Sequence, residues 1–177
     1  MQIARLSIPV KHANGSRDSV AQTTDLNQIC ELINLTHNSR TFFIPYAIEG
    51  LGARLNRVPS YNKHCFYTND DAVIGLWQVN ETNTLTHNNQ INVLKVDIVL
   101  DYGFKTLDGF MDCLQGVCKM LQDTEATHIS IVCDTRADEY HALKNIAEDV
   151  QQFVVHTLPW NLEDFSRSTV YCDAIYV

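Results

Sequence analysis

The chain has 177 residues, 45% of them apolar and 19% charged, with a formal net charge of −8. That length and balance fill one domain with a continuous core and exclude long disordered tracts, while the acidic excess and scattered Lys and Arg leave no footprint for a nucleic-acid backbone. The start, Met1-Gln2-Ile3-Ala4-Arg5, lacks the basic-then-apolar order of a secretory leader, and no apolar run approaches the roughly 20 residues of a membrane span, so a cytoplasmic protein is expected.

Arg5 to Val10 suits a short strand, and Lys11 to Thr24, rich in Asn, Gly, Ser, Asp and Thr, reads as a loop. Thr24 or Asp25 caps a helix in which Leu26, Ile29, Cys30 and Ile33 form one apolar stripe. His37 to Tyr61 reads as helix, loop, helix around the cluster Phe42-Phe43-Ile44-Pro45-Tyr46. Two strands follow, His64–Thr68 and Ala72–Val79, with Asn69-Asp70-Asp71 as their hairpin turn.

A polar stretch from Asn80 to Gln90 leads into a long central strand, Ile91 to Leu100, with Asn92, Leu94, Val96, Ile98 and Leu100 on one face and Val93, Lys95, Asp97 and Val99 on the other. Thr106 caps the next helix, whose Phe110, Met111, Leu114, Val117, Cys118 and Leu121 keep a helical period. His128–Cys133 is a buried strand, and Ala137–Asp149 a helix with Tyr140, Leu143, Ile146 and Ala147 on its apolar side. Gln152–Thr157 and Thr169–Val177 are two further strands, rich in β-branched and aromatic residues. The long terminal strands can pair between subunits, so a homodimer is one possible assembly.

Cys30, Cys65, Cys113, Cys118, Cys133 and Cys172 are dispersed through apolar segments without a CxxC pair, as reduced buried thiols are. The histidines lack the spacing of a metal site, and none is expected. Gly50-Leu51-Gly52-Ala53-Arg54 follows no predicted strand, so a substrate-side loop fits it better than a phosphate loop.

The order strand, helices, hairpin, long strand, helix, strand, helix, strand, strand resembles the GNAT superfamily of acyl-CoA-dependent N-acyltransferases over nearly the whole chain, residues 1–177 as a single domain. Its best local part runs from Val73 to Asp149, through AVIGLWQV, NVLKVDIVL and HISIVCDTRADEYHAL. The resemblance implies an α/β fold with a mixed, mostly antiparallel central sheet flanked by helices. It also implies acetyl-CoA or another acyl-CoA as acyl donor and an amine on a small molecule or peptide as acceptor.

The family's Arg/Gln-x-x-Gly-x-Gly/Ala turn aligns with Thr106-Leu107-Asp108-Gly109-Phe110-Met111, of which Gly109 alone agrees. Thr106, Leu107, Gly109, Phe110 and Met111 are the implied pyrophosphate contacts, because bare N–H groups at a helix start receive phosphate. Gly109 also serves simply to open a helix, and Asp108 in a first turn favours the helix dipole without any ligand.

Transfer to an amine needs a base and an acid. Asp97, which interrupts an apolar strand, is the base candidate, with an ion pair to Lys95 or another cation as the alternative role. Tyr140 lies near the position of the family's proton donor. Phe43, Tyr46 and Arg54 border the acceptor if the first two helices line that pocket; core packing is the other reading for the aromatics. Beside the enzyme stands a non-catalytic domain of the same fold that binds a ligand or a protein.

Overall fold

The computed structural model describes residues 2–41, 43–87 and 90–154. In chain order the elements are β1 (Gln2–Pro9), β2 (Ala21–Thr23), α1 (Leu26–His37), α2 (Ile48–Arg57), β3 (Phe66–Thr68), β4 (Ala72–His87), β5 (Gln90–Phe104), α3 (Leu107–Leu121), β6 (His128–Asp134), α4 (Asp138–Lys144) and β7 (Asp149–Val154). Among the described residues the strands form one seven-stranded sheet in the order β2-β3-β4-β5-β6-β1-β7. Every neighbouring pair is antiparallel except β5 and β6. The fold class is therefore a mixed, mostly antiparallel α/β sheet with flanking helices, and the predicted long strand is its centre.

Two cores sandwich the sheet. One packs α3 and α4 through Phe110, Leu114, Leu121, Tyr140 and Leu143 against Leu6, Ile74 and Ile131. The other packs α1 and α2 through Ile29, Ile33 and Leu51 against Phe66, Val73 and Ile98. Alternation along β4 explains the division, since Ala72, Ile74 and Leu76 point to the first core and Val73 to the second. No helix among the described residues is long and apolar enough to cross a membrane.

Local signals set most of the boundaries. The Asp25 carboxylate accepts from the N–H groups of Asn27 and Gln28 and opens α1, and the Thr106 hydroxyl accepts from the Gly109 N–H and opens α3. In the β3–β4 turn Asp70 sits at φ 71°, and the Asn69 side chain accepts from the Ala72 N–H while donating to the Gly109 carbonyl. That last bond fixes the start of α3 against the hairpin. Gly103 of β5 brings α1 onto the sheet, since a Cβ there would lie 2.3 Å from the Leu32 carbonyl carbon.

The elements differ from the sequence reading in several places. Ala21–Thr23, within the stretch read as loop, is strand β2 paired to β3. Of the helix, loop, helix read into His37–Tyr61, the described residues hold one helix beyond His37, and Gly50–Arg54, read as a substrate-side loop, lies inside it as part of α2, where Leu51 and Leu55 share the face that packs on the core. The polar stretch Asn80–Gln90 includes strand, because β4 runs on to His87 and β5 begins at Gln90. Thr82, Thr84 and Thr86 alternate there, and β-branched threonine suits a strand despite its polarity. The last helix stops at Lys144, and Asp149 already belongs to β7. β1 is longer than predicted and lies between β6 and β7. The predicted strand Thr169–Val177, Cys172 and Phe42 lie outside the described residues, as does the end of the predicted strand Gln152–Thr157.

Candidate functional site

β5 and β6 are paired over three positions only, Val96 with His128, Asp97 with Ile129 and Ile98 with Ser130. Beyond Ile98 no pair joins them, while β6 stays paired with β1 as far as Asp134. A wedge therefore opens between two parallel strands at their C-terminal ends. A cleft of about 540 Å³ lies over it, between the end of α1, the start of α3 and the start of α4. Arg40, Lys105, Leu107, Arg136, Asp138 and Glu139 are among its lining residues. In open α/β sheets, crevices at the C-terminal ends of diverging strands are where ligands bind.

Side chains from the helices take over the β5 main chain where β6 has left. The Leu100 carbonyl accepts from Arg54 Nη2 at 3.2 Å, and the Tyr102 carbonyl from His37 Nε2 at 2.8 Å. The Phe104 N–H donates to Thr36 Oγ1 at 2.5 Å. His37 must carry its proton on Nε2 to donate, and burial, followed by the nearby Arg40 charge, lowers its pKa to about 3, so the ring is neutral.

A bulge in β5 then separates two polar clusters. Gly75 is opposite Asp101 but Leu76 is opposite Val99, so Leu100 is the extra residue. Val99 and Tyr102 belong to the α3 and α4 core, whereas Leu100 packs with α1 and α2. Asp101 follows Leu100 to the same side. Its carboxylate accepts from Tyr46 Oη at 3.0 Å, Tyr61 Oη at 2.9 Å and Arg54 Nε at 2.9 Å. The Asp101 side chain is wholly buried, and burial, then Asp101, raises the Tyr61 pKa well above the usual phenol.

On the opposite face Tyr102 Oη donates to Glu139 Oε1 at 2.8 Å, and Arg40 Nη1 lies 2.6 Å from the same oxygen. Burial, then the Glu139 charge, also raises the Tyr102 pKa well above the ordinary value, so this phenol remains a donor.

The residues singled out by sequence are distributed over both faces. Phe43, Tyr46 and Arg54 gather on the α1 and α2 side, where Phe43 and Tyr46 meet ring to edge at 6.0 Å. Asp97 is 2% exposed and stands at the inner end of the wedge, opposite Ile129 of the other core. Tyr140 is buried in that core, and its hydroxyl accepts from Gln152 on β7. Leu107 lines the cleft, and Thr106, between it and Lys105, is the helix cap.

Gly109 faces the hairpin turn, where a Cβ would lie 2.7 Å from Asp71 Cβ. Phe110 is fully buried against Tyr102 and Phe104, and Met111 is partly buried against the same core. Sequence reasoning missed Arg40, Tyr61, Asp101, Tyr102, Lys105, Arg136 and Glu139. An interrupting carboxylate in a strand was the available signal for Asp101, as it was for Asp97.

Among the described residues no cluster of His, Cys, Asp or Glu is arranged to hold a metal ion. Burial pushes the Cys113 and Cys118 thiols up to about 12, which removes both as nucleophiles at neutral pH. No protein-family model matches the sequence, and no curated protein matches it.

Proposed function

We propose that this chain is an acyl-CoA-dependent N-acyltransferase of the GNAT type, moving an acetyl or other acyl group to an amine of a small molecule or peptide. One observation carries the reading: the two parallel strands part after Ile98, and the wedge opens into a cleft with cationic side chains beside the first turn of a long helix. The Lys105 ammonium and Arg136 guanidinium at the rim suit a pyrophosphate, together with the Leu107 and Asp108 N–H groups, which come before Phe110, the first intrahelical backbone donor of α3. Gly109 contributes by letting α3 begin close against the β3–β4 turn, its own N–H being held by Thr106.

The acyl end of the donor would point down the wedge toward Asp97, the base candidate for the incoming amine. Tyr140, the acid candidate that the resemblance implies, does not line the cleft, and its hydroxyl is taken by Gln152 of β7, so the thiolate's proton source is left unassigned. On the α1 and α2 side, Phe43, Tyr46 and Arg54 border the acceptor, with Arg54 and Tyr46 positioned by Asp101.

A second reading has its own support. Arg54, His37 and Thr36 already occupy main-chain groups of β5 along the wedge, which leaves less strand edge for a bound donor. That capping favours a non-catalytic domain of this fold, binding a ligand or protein at the outer cleft. Calorimetric titration with acetyl-CoA separates the two. Heat that is lost in the Lys105→Ala, Arg136→Ala double variant supports the transferase reading. No heat with millimolar acetyl-CoA gives preference to the second.

A further inference from the structure

Three segments of the chain meet at one carboxylate oxygen in the floor of the cleft. Arg40 comes from the turn after α1, Tyr102 from β5 and Glu139 from the first turn of α4. Arg40 Nη1 and Tyr102 Oη approach Glu139 Oε1 at 2.6 and 2.8 Å, and Arg40 Nη1 also donates to Tyr102 Oη at 3.4 Å. The ion pair thus spans the wedge left where β6 departs from β5.

Its two side chains are nearly dry, at 8% exposure for Arg40 and 2% for Glu139, yet both residues line the cleft. The other cations there differ. Arg136 is 39% exposed and chelates Asp134 through Nε and Nη2, and Lys105 is 51% exposed beside Asp71. Arg40 is therefore the cation an anion would meet at the bottom of the cleft, after passing the other two at its rim.

An incoming anion would keep the buried guanidinium paired, so the cost of the exchange is what the released Glu139 carboxylate loses. The planar guanidinium also suits phosphate as well as carboxylate. Glu139 keeps the Tyr102 hydroxyl when Arg40 leaves it, which offsets part of that loss. We infer that Arg40 is an anion receptor for the donor's phosphates, and that Glu139 is a latch holding it across the wedge until that ligand displaces it. The inference rests on the cleft being the acyl-CoA site.

Coenzyme A titrated calorimetrically into wild type, Glu139→Gln and Arg40→Gln tests it. In Glu139→Gln the side-chain amide oxygen still accepts from Tyr102, so the cluster stays hydrogen-bonded without the competing charge. Glu139→Gln is expected to tighten binding about tenfold and Arg40→Gln to weaken it at least as much. Hydrogen exchange of the wild-type amides across 138–143 is expected to quicken on saturation with coenzyme A, as α4 loses its link to Arg40 and keeps only that to Tyr102.

If wild type binds but Glu139→Gln binds no tighter, or Arg40→Gln binds equally well, the latch is wrong and the transferase reading stands. If neither wild type nor Glu139→Gln binds, the cleft is not the coenzyme A site and both ideas fall. Should Arg40→Gln prove unfolded by circular dichroism, Tyr102→Phe serves in its place. Without that hydroxyl the Glu139 carboxylate loses its remaining partner whenever Arg40 leaves, so affinity should fall; an unchanged or higher affinity overturns the latch.

Discussion

Arg54 of α2 and Asp101 of β5 form a 2.9 Å ion pair in which the carboxylate is wholly buried and the guanidinium 12% exposed. The bulge at Leu100 is what turns Asp101 toward Arg54, and Tyr46 and Tyr61 complete its hydrogen bonds. The arrangement fixes α2 and the α1–α2 connection on the sheet. Removing one partner leaves an uncompensated buried charge, so Asp101→Ala should cost about 3–5 kcal/mol in urea unfolding.

Tyr61→Phe should cost less, about 1.5–3 kcal/mol, because the pair itself remains. Gly75 belongs to the same cluster, since a Cβ on it would lie 2.0 Å from Tyr61 Oη. Gly75→Ala should therefore be at least as costly as Tyr61→Phe, and the two losses should not add when combined, as a double-mutant cycle would read directly.

His37 should make stability depend on pH. Its folded pKa of about 3 lies below the ordinary 6.5, mainly through burial and then through Arg40. Below the unfolded value the unfolded chain takes up a proton that the folded chain refuses. The neutral ring thus carries no penalty above about pH 6.5, and stability falls progressively as pH drops toward the folded value. Between pH 7 and pH 5 the loss from this residue should be ~2 kcal/mol. His37→Gln keeps a donor for the Tyr102 carbonyl and should flatten that part of the profile, measured by urea unfolding at each pH.

Asp108 should affect stability and ligand binding in opposite directions. It is the acidic residue in the first turn of α3, exposed beside Leu107 at the rim of the cleft. Asp108→Asn should lower stability by about 0.3–1 kcal/mol through the helix dipole. It should also strengthen coenzyme A binding by removing a carboxylate from the phosphates' neighbourhood, as calorimetry would show. Unchanged affinity with reduced stability would leave Asp108 a dipole residue alone.

Gly103→Ala should be among the most damaging single changes in the sheet. The added Cβ would collide with the α1 backbone at Leu32 and Ile33, neither of which is the flexible end of a side chain. Displacing α1 would also withdraw Thr36 and His37 from the β5 edge. A loss of about 3 kcal/mol or more is expected in urea unfolding.

The sequence by itself determined the local frame. Asp25 and Thr106 cap their helices as their positions suggest, Asn69-Asp70-Asp71 closes the hairpin, and the apolar stripe from Leu26 to Ile33 is the buried face of α1. These follow from hydrogen bonds and periodicities that close within a few residues. The faces of the central strand were legible only as far as Leu100, because one extra residue at that bulge reverses the alternation and carries Asp101 to Arg54.

Tertiary structure alone decided the rest. The insertion of β1 between β6 and β7 depends on strands far apart in the chain, as does the parting of β6 from β5 after Ile98. Arg40 and Glu139 occur in segments that read as helix, loop, helix and as the start of a helix, where charged residues are ordinary. They become a buried ion pair only because Gly103 lets α1 settle on β5 while the diverging strands leave a wedge beside it. Whether a charge is solvated or paired is set by what the fold brings beside it, and that is not a property of its neighbours in sequence.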